Sequence, residues 1–107
     1  MRFSESIEFQ SDIKKLKKFK SLEEDLSLFR KVISNSPLGI SRHSVLLVER
    51  NNCFAIKSRL FCQYLRGNSL RIVYIYNKLE DSVTFLELFF KGDKPREDAL
   101  RIRKYLR

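Results

Sequence analysis

Arg50-Asn51-Asn52-Cys53-Phe54-Ala55-Ile56-Lys57-Ser58-Arg59-Leu60-Phe61-Cys62-Gln63-Tyr64-Leu65-Arg66-Gly67-Asn68-Ser69-Leu70-Arg71-Ile72-Val73-Tyr74-Ile75-Tyr76-Asn77-Lys78 is the stretch that decides the fold. Its apolar, aromatic and β-branched runs, opened by Asn51-Asn52 and broken by Gly67-Asn68, read as paired β-strands. It also carries six basic residues, Arg50, Lys57, Arg59, Arg66, Arg71 and Lys78, and no Asp or Glu. Positive charge built into regular structure rather than a tail suits contact with phosphate.

Reading outward, strand-like runs cover Ser44 to Glu49, Phe54 to Leu65, Ser69 to Tyr76 and Ser82 to Phe90, the last entered through a turn at Glu80-Asp81. Short strands separated by turn residues predict sequential antiparallel pairing. Toward the N-terminus, Phe3, Ile7 and Phe9 alternate imperfectly and predict a short first strand over Phe3 to Phe9. Ser11 then offers an N-cap, with Ile13 and Leu16 as an apolar stripe opposite Lys14, Lys15, Lys17 and Lys18. Ser21-Leu22-Glu23-Glu24 has capping-box spacing, and Leu22, Leu26, Phe29 and Val32 or Ile33 recur at helical intervals until the break from Pro37 to Ser41. Finally, Lys91-Gly92-Asp93-Lys94-Pro95 leads into a helix with Pro95 near its first position, Glu97 and Asp98 in its first turn, and Arg101, Arg103, Lys104 and Arg107 toward its end. The expected class is α+β. An N-terminal strand and helical hairpin pack on a mostly antiparallel sheet, with a C-terminal helix, in a single domain over residues 1–107.

Composition narrows the partners. Lys and Arg number 22 against 13 Asp and Glu, a formal charge of +9 on 107 residues, so polyanions are attracted. The 43% apolar fraction, with nine Phe and four Tyr, is enough for one modest core and excludes a disordered chain. No apolar run approaches the roughly 20 residues of a membrane span, and Met1-Arg2-Phe3-Ser4-Glu5 lacks the apolar region of a signal peptide. A cytoplasmic location away from membranes is expected. Cys53 and Cys62 fall in apolar strand-like segments and read as free thiols, and a single histidine, His43, gives no zinc set. No cofactor is expected.

Strand periodicity turns the basic stretch into geometry, because residues two apart point the same way. Lys57 and Arg59 share a face opposite Phe54, Ile56 and Leu60, while Arg71 stands opposite Leu70, Ile72 and Tyr74. In the last strand the same rule puts Leu86, Leu88 and Phe90 on one side, and Phe85, Glu87, Phe89 and Lys91 on the other. With the apolar faces against the helices, Lys57, Arg59, Arg71, Glu87 and Lys91 line the opposite surface, with Phe89 among them. Such a cluster suits RNA cleavage, in which the 2′-hydroxyl attacks the adjacent phosphorus and guanidinium groups clamp the charged phosphoryl oxygens. Phe89 would stack on an unpaired base, worth roughly 1–3 kcal/mol. A bland alternative stands beside this, since an open antiparallel sheet keeps one polar face for solubility.

The order of strand, basic helical hairpin, meander and basic C-terminal helix resembles the RelE/ParE superfamily of toxin–antitoxin toxins. The residues that carry the likeness are Asp12-Ile13-Lys14-Lys15-Leu16-Lys17-Lys18, Phe54-Ala55-Ile56-Lys57-Ser58-Arg59, Arg71-Ile72-Val73-Tyr74 and Glu87-Leu88-Phe89-Phe90-Lys91-Gly92-Asp93-Lys94. The resemblance implies a toxin with a microbial-ribonuclease-like sheet that cleaves messenger RNA in the ribosome and is held inactive by a cognate antitoxin. It assigns Arg71 to the scissile phosphate and Lys57 to the 2′-hydroxyl or its developing charge, with Arg59 and Lys91 as supporting phosphate contacts. Where some members end in a histidine or aromatic general acid, this chain reads Phe89-Phe90-Lys91 and offers no evident acid. Lys14, Lys17, Lys18, Lys94 and Arg96 become RNA contacts or simply solvated charge. Glu87 reads as a charge partner for Lys57 or Arg71, Tyr74 and Tyr76 as packing, and His43 as a loop or strand-edge residue. Two rivals remain: a ParE-like gyrase poison without cleavage, which has no stated need of the Lys57, Arg59 and Arg71 cluster, and a non-enzymatic RNA- or ribosome-binding module.

Overall fold

The computed structural model describes residues 1–39, 43–66 and 68–106. The far end of the expected break at Ile40 and Ser41, the turn residue Gly67 and the terminal Arg107 lie outside the described residues. A sheet of five strands, β1 (Arg2–Glu5), β2 (Ser44–Arg50), β3 (Cys53–Phe61), β4 (Ser69–Asn77) and β5 (Ser82–Phe90), runs in the order β1-β5-β4-β3-β2. Strands β2 to β5 form the expected antiparallel meander, and β1 lies parallel to β5. At the β2–β3 turn, Asn51 and Asn52 take φ of 51° and 63°, the left-handed geometry that Asn tolerates and a two-residue hairpin loop needs.

The helices, α1 (Ile7–Lys15), α2 (Leu22–Asn35) and α3 (Ala99–Tyr105), divide between the two sheet faces. Phe9, Leu16, Leu26, Phe29 and Ile33 of α1 and α2 and their flanks bury one face with Ile56, Leu60, Ile72, Tyr74 and Phe85. On the other face, Ile102 and Leu106 cover Ala55, Val73, Ile75, Leu86 and Phe89. The basic face is therefore no open polar surface, since α3 roofs its apolar half.

Several boundaries differ from those expected. β1 stops at Glu5 because Ser6, not Ser11, caps α1: the Phe9 amide donates to Ser6 Oγ at 3.0 Å. Phe9, Ile13 and Leu16 then recur at helical spacing, so Phe9 belongs to the helix stripe. Ser21 precedes α2 without capping it, its hydroxyl being spent on Asp25 and the Tyr64 amide at 2.8 and 2.9 Å. β3 ends at Phe61, and Gln63–Leu65 form a single 3-10 turn. α3 begins at Ala99 rather than at Pro95. Asp98 is its cap, accepting from the Leu100 and Arg101 amides, and Glu97 lies outside it.

The phase of β5 also differs. Val73 pairs with Glu87 while Tyr74 pairs with Phe85, so Leu86 is an extra residue in a β-bulge. The bulge turns Phe85 to the α1–α2 core and Leu86 to the α3 core, the reverse of strict alternation. The ladder groups it disturbs find other partners. Leu86 O accepts from Arg101 Nη1 at 3.0 Å, and the Leu88 amide donates to Asp12 Oδ2 at 3.0 Å. Asp12 and Arg101 are themselves paired at 2.7 Å, which ties α1 to α3 around the edge of β5 that β1 leaves uncovered.

Candidate nucleic-acid interface

The ladder register sets the site. Arg59 stands directly opposite Arg71, and Arg71 opposite Phe89. In the next row on the same face, Lys57 meets Val73 and Val73 meets Glu87. Period-two reading thus placed Lys57, Arg59, Arg71 and Glu87 on one face correctly, and Lys91 follows one residue beyond β5 in an exposed turn.

Their partners separate them into two kinds. Lys57 Nζ donates to Glu97 Oε1 at 2.7 Å, and this hydrogen bond holds the Glu97 carboxyl below the usual carboxylate range against the opposing effect of burial. Glu87 is only 1% exposed, yet it pairs with the Lys94 ammonium and accepts from the Asp98 amide at 2.8 Å. It is thus the partner of Lys94, and neither Lys57 nor Arg71 reaches it as expected. The Lys94 ammonium also lies 5.1 Å from the centre of the Phe89 ring. Phe89 is 6% exposed and packs with Ile102 and Leu106, so its ring is part of the α3 core and not the open stacking surface expected of it.

The arginines differ. Among the described residues no carboxylate pairs with Arg59 or Arg71. Arg71 Nη1 donates to Ser69 Oγ at 2.7 Å, which turns the guanidinium toward the start of β4. Burial first, and the Arg59 charge second, pushes the Arg71 guanidinium below its ordinary value. Like charges directly opposed in a ladder cost stability, and an anion seated between them removes that cost.

Other expected roles resolve locally. Tyr74 donates to Pro37 O at 3.0 Å and Tyr76 bonds Asp81 at 3.4 Å, both within the α1–α2 core, and burial pushes the Tyr74 phenol up. His43 sets its ring edge against Phe61 just before β2. Cys62 is buried, Cys53 half-buried, and both are free thiols. Lys14, Lys17, Lys18 and Arg96 are exposed, Lys17 and Lys18 lying past the end of α1. Among the described residues no His, Cys, Asp and Glu cluster is placed to hold a metal, and no helix is long and apolar enough to cross a membrane.

Sequence reading missed Glu97 as the Lys57 counter-charge. The signal was Gly92 and Pro95, turn residues that bring the chain back over the strand ends.

Among solved structures, the chain is similar to an archaeal RelE in a RelE–RelB complex from Pyrococcus horikoshii OT3, with TM-score 0.60 and 18% identity over 85% of this chain and 94% of that one. The fold is that of RelE. No protein-family model matches the chain, and no curated protein matches it significantly. Within this RelE fold, the Arg59–Arg71 row, without a carboxylate partner among the described residues, lies beside the carboxylate-bound Lys57.

Proposed function

We propose that the chain is a RelE-like toxin that cleaves messenger RNA on the ribosome and is neutralised by an antitoxin. The observation that carries this is the directly opposed Arg59–Arg71 pair, built into two adjacent strands without a carboxylate partner among the described residues. Its chemistry fits transfer at phosphorus. The 2′-oxygen attacks the adjacent phosphorus as its proton leaves, the P–O5′ bond breaks, and the 5′-oxygen takes up a proton. Arg71 and Arg59 clamp the phosphoryl oxygens, and Lys57 stabilises the charge developing at the 2′-oxygen. The hydrogen bond to Glu97 holds the Lys57 amine in place beside the arginine row. Lys91, exposed at the end of β5, meets the next phosphate.

An antitoxin has a surface to use. A groove of about 460 Å³ lies between α2 and the end of β3, lined by Leu28, Val32, Ile33, Leu60, Phe61 and Arg59. A segment with apolar side chains for the groove and an acidic one for Arg59 would block the phosphate site as it binds.

Primer extension on a defined messenger RNA in a purified translation system tests the assignment, with wild type, Arg71→Gln and a ribosome-free control. Ribosome-dependent cuts that fall at least about 100-fold in Arg71→Gln are expected, the cost of losing one preorganised donor to a transition state. Absence of cuts with folded wild-type protein would sink the catalytic reading. The Arg59–Arg71 row, without a carboxylate partner among the described residues, would then favour a non-catalytic RNA-binding role.

A further inference from the structure

We infer that Tyr64 is a stacking platform for an unpaired RNA base, flanked by Lys18, Lys20 and Arg66 as contacts to the neighbouring phosphates. The inference rests on the RNA-directed reading above and adds a second subsite to it. Phe89 cannot serve this purpose where it lies, under α3 and Lys94. Tyr64 can, since it is 51% exposed in the connection between β3 and β4.

The loop holds the ring in place. The Tyr64 amide donates to Ser21 Oγ at 2.9 Å, and that hydroxyl donates to Asp25 Oδ2 at 2.8 Å. Leu65 and Arg66 amides close the 3-10 turn onto Cys62 O and Gln63 O at 3.0 and 3.2 Å. One side of the Tyr64 ring rests against Phe19, centroids 6.1 Å apart. Ser21 gives up capping α2 to fix this loop, so the arrangement has a local cost that general solubility does not explain. An aromatic on an anchored backbone, its ring tilted 51° against Phe19 and half its area open, is suited to base stacking, which tolerates any sequence.

The Lys18 ammonium lies 5.4 Å from the Phe19 ring centre, Lys20 precedes Ser21 in sequence, and Arg66 follows the 3-10 turn with φ 46°. Among the described residues none of the three pairs with a carboxylate. The subsite is also connected to the arginine row. Phe19 touches Phe90 with centroids 6.0 Å apart, Phe90 pairs with Leu70, and Lys91 follows Phe90. The Arg71 guanidinium turns toward Ser69 at this same end of the sheet. Arg71 faces the α3 side and Tyr64 packs on Phe19 of the α1–α2 core, so a single strand that uses both passes round this end of the sheet.

The test is fluorescence anisotropy with the purified full chain and a fluorescein-labelled ten-nucleotide RNA at fixed salt, using wild type, Tyr64→Phe and Tyr64→Leu. Leu keeps an apolar cover over Phe19 without a π-face, so matched melting temperatures separate stacking from packing. Tyr64→Leu is expected to bind about tenfold more weakly and Tyr64→Phe about as tightly as wild type, with no difference between Leu and wild type on an abasic strand of equal length. Unchanged affinity of Tyr64→Leu, an equal loss on the abasic strand, or no binding by wild type would overturn the inference. If Arg71→Gln abolishes ribosome-dependent cuts while Tyr64→Leu binds normally, the subsite alone is wrong. Base-dependent loss in Tyr64→Leu without any cleavage by wild type would instead support the subsite and overturn the ribonuclease.

Discussion

On the proposed reading, Glu97 competes with phosphate for Lys57. A half-buried ion pair near the surface is worth about 0.2–1 kcal/mol, and a phosphate entering the site must break it. Glu97→Gln is therefore expected to tighten single-stranded RNA binding roughly two- to fivefold at constant salt, as measured by anisotropy. Cleavage should persist in that variant. Loss of cleavage with binding retained would make Glu97 a proton acceptor in the reaction and reverse its role. Lys57, Arg59 and Arg71 were legible because side chains alternate along a regular strand and all three lie in unbulged stretches of β3 and β4. The Glu97 and Lys94 ion pairs were not legible, since both depend on where an irregular turn comes to rest. Phe89 was placed on the right face and given the wrong environment, because a seven-residue helix covers it from a distant part of the chain.

At the scale of elements, α3 is fastened to α1 by polar contacts as well as to the sheet by Ile102 and Leu106. Glu8 accepts from Tyr105 Oη at 2.6 Å and from Lys104 Nζ at 2.9 Å, and these bonds, Tyr105 first, lower its carboxyl from 4.5 to about 2. A carboxyl depressed in the folded chain contributes stability that is full above its unfolded value of 4.5 and is lost as pH falls through about 2. Glu8→Gln should lower the thermal midpoint at neutral pH. That deficit should shrink as the solution is acidified below 4.5 and disappear near pH 2, in melts followed by circular dichroism. A deficit independent of pH would show that the Gln fails to fit rather than that a charge is missing. The element order was legible from turn residues and periodicity. The first boundary was misplaced because Phe9 satisfies strand and helix spacing alike, and Ser6 decides between them only once its hydroxyl meets the Phe9 amide. The β5 bulge was invisible for a different reason. Phe85 and Leu86 are both apolar, and the choice of face depends on Asp12 and Arg101 taking up the displaced ladder groups.

Across the whole molecule, a net charge of +9 would draw RNA to any surface unless acidic residues mask part of it. They do so unevenly. Lys57, Lys94, Arg101 and Lys104 are engaged by Glu97, Glu87, Asp12 and Glu8, whereas Arg59, Arg71, Lys91, Lys18, Lys20 and Arg66 carry no ion pair among the described residues. These six lie on the arginine row and around the Tyr64 loop, and Lys14, Lys15, Lys17, Lys31, Arg50, Lys78, Arg96 and Arg103 also carry no ion pair among the described residues. For single strands, log affinity falls against log salt with a slope near −0.7 per phosphate neutralised, which gives about −4 if all six cations are used. Lys91→Gln should reduce the magnitude of the slope by about 0.7, and a Lys18→Gln, Lys91→Gln double variant by about 1.4. Lys104→Gln, a cation already bound to Glu8, should leave it unchanged. Anisotropy titrations between low and physiological salt read these slopes directly. Equal reductions for Lys104 and Lys91 would mean that RNA responds to net charge alone and that ion pairing does not shape the surface.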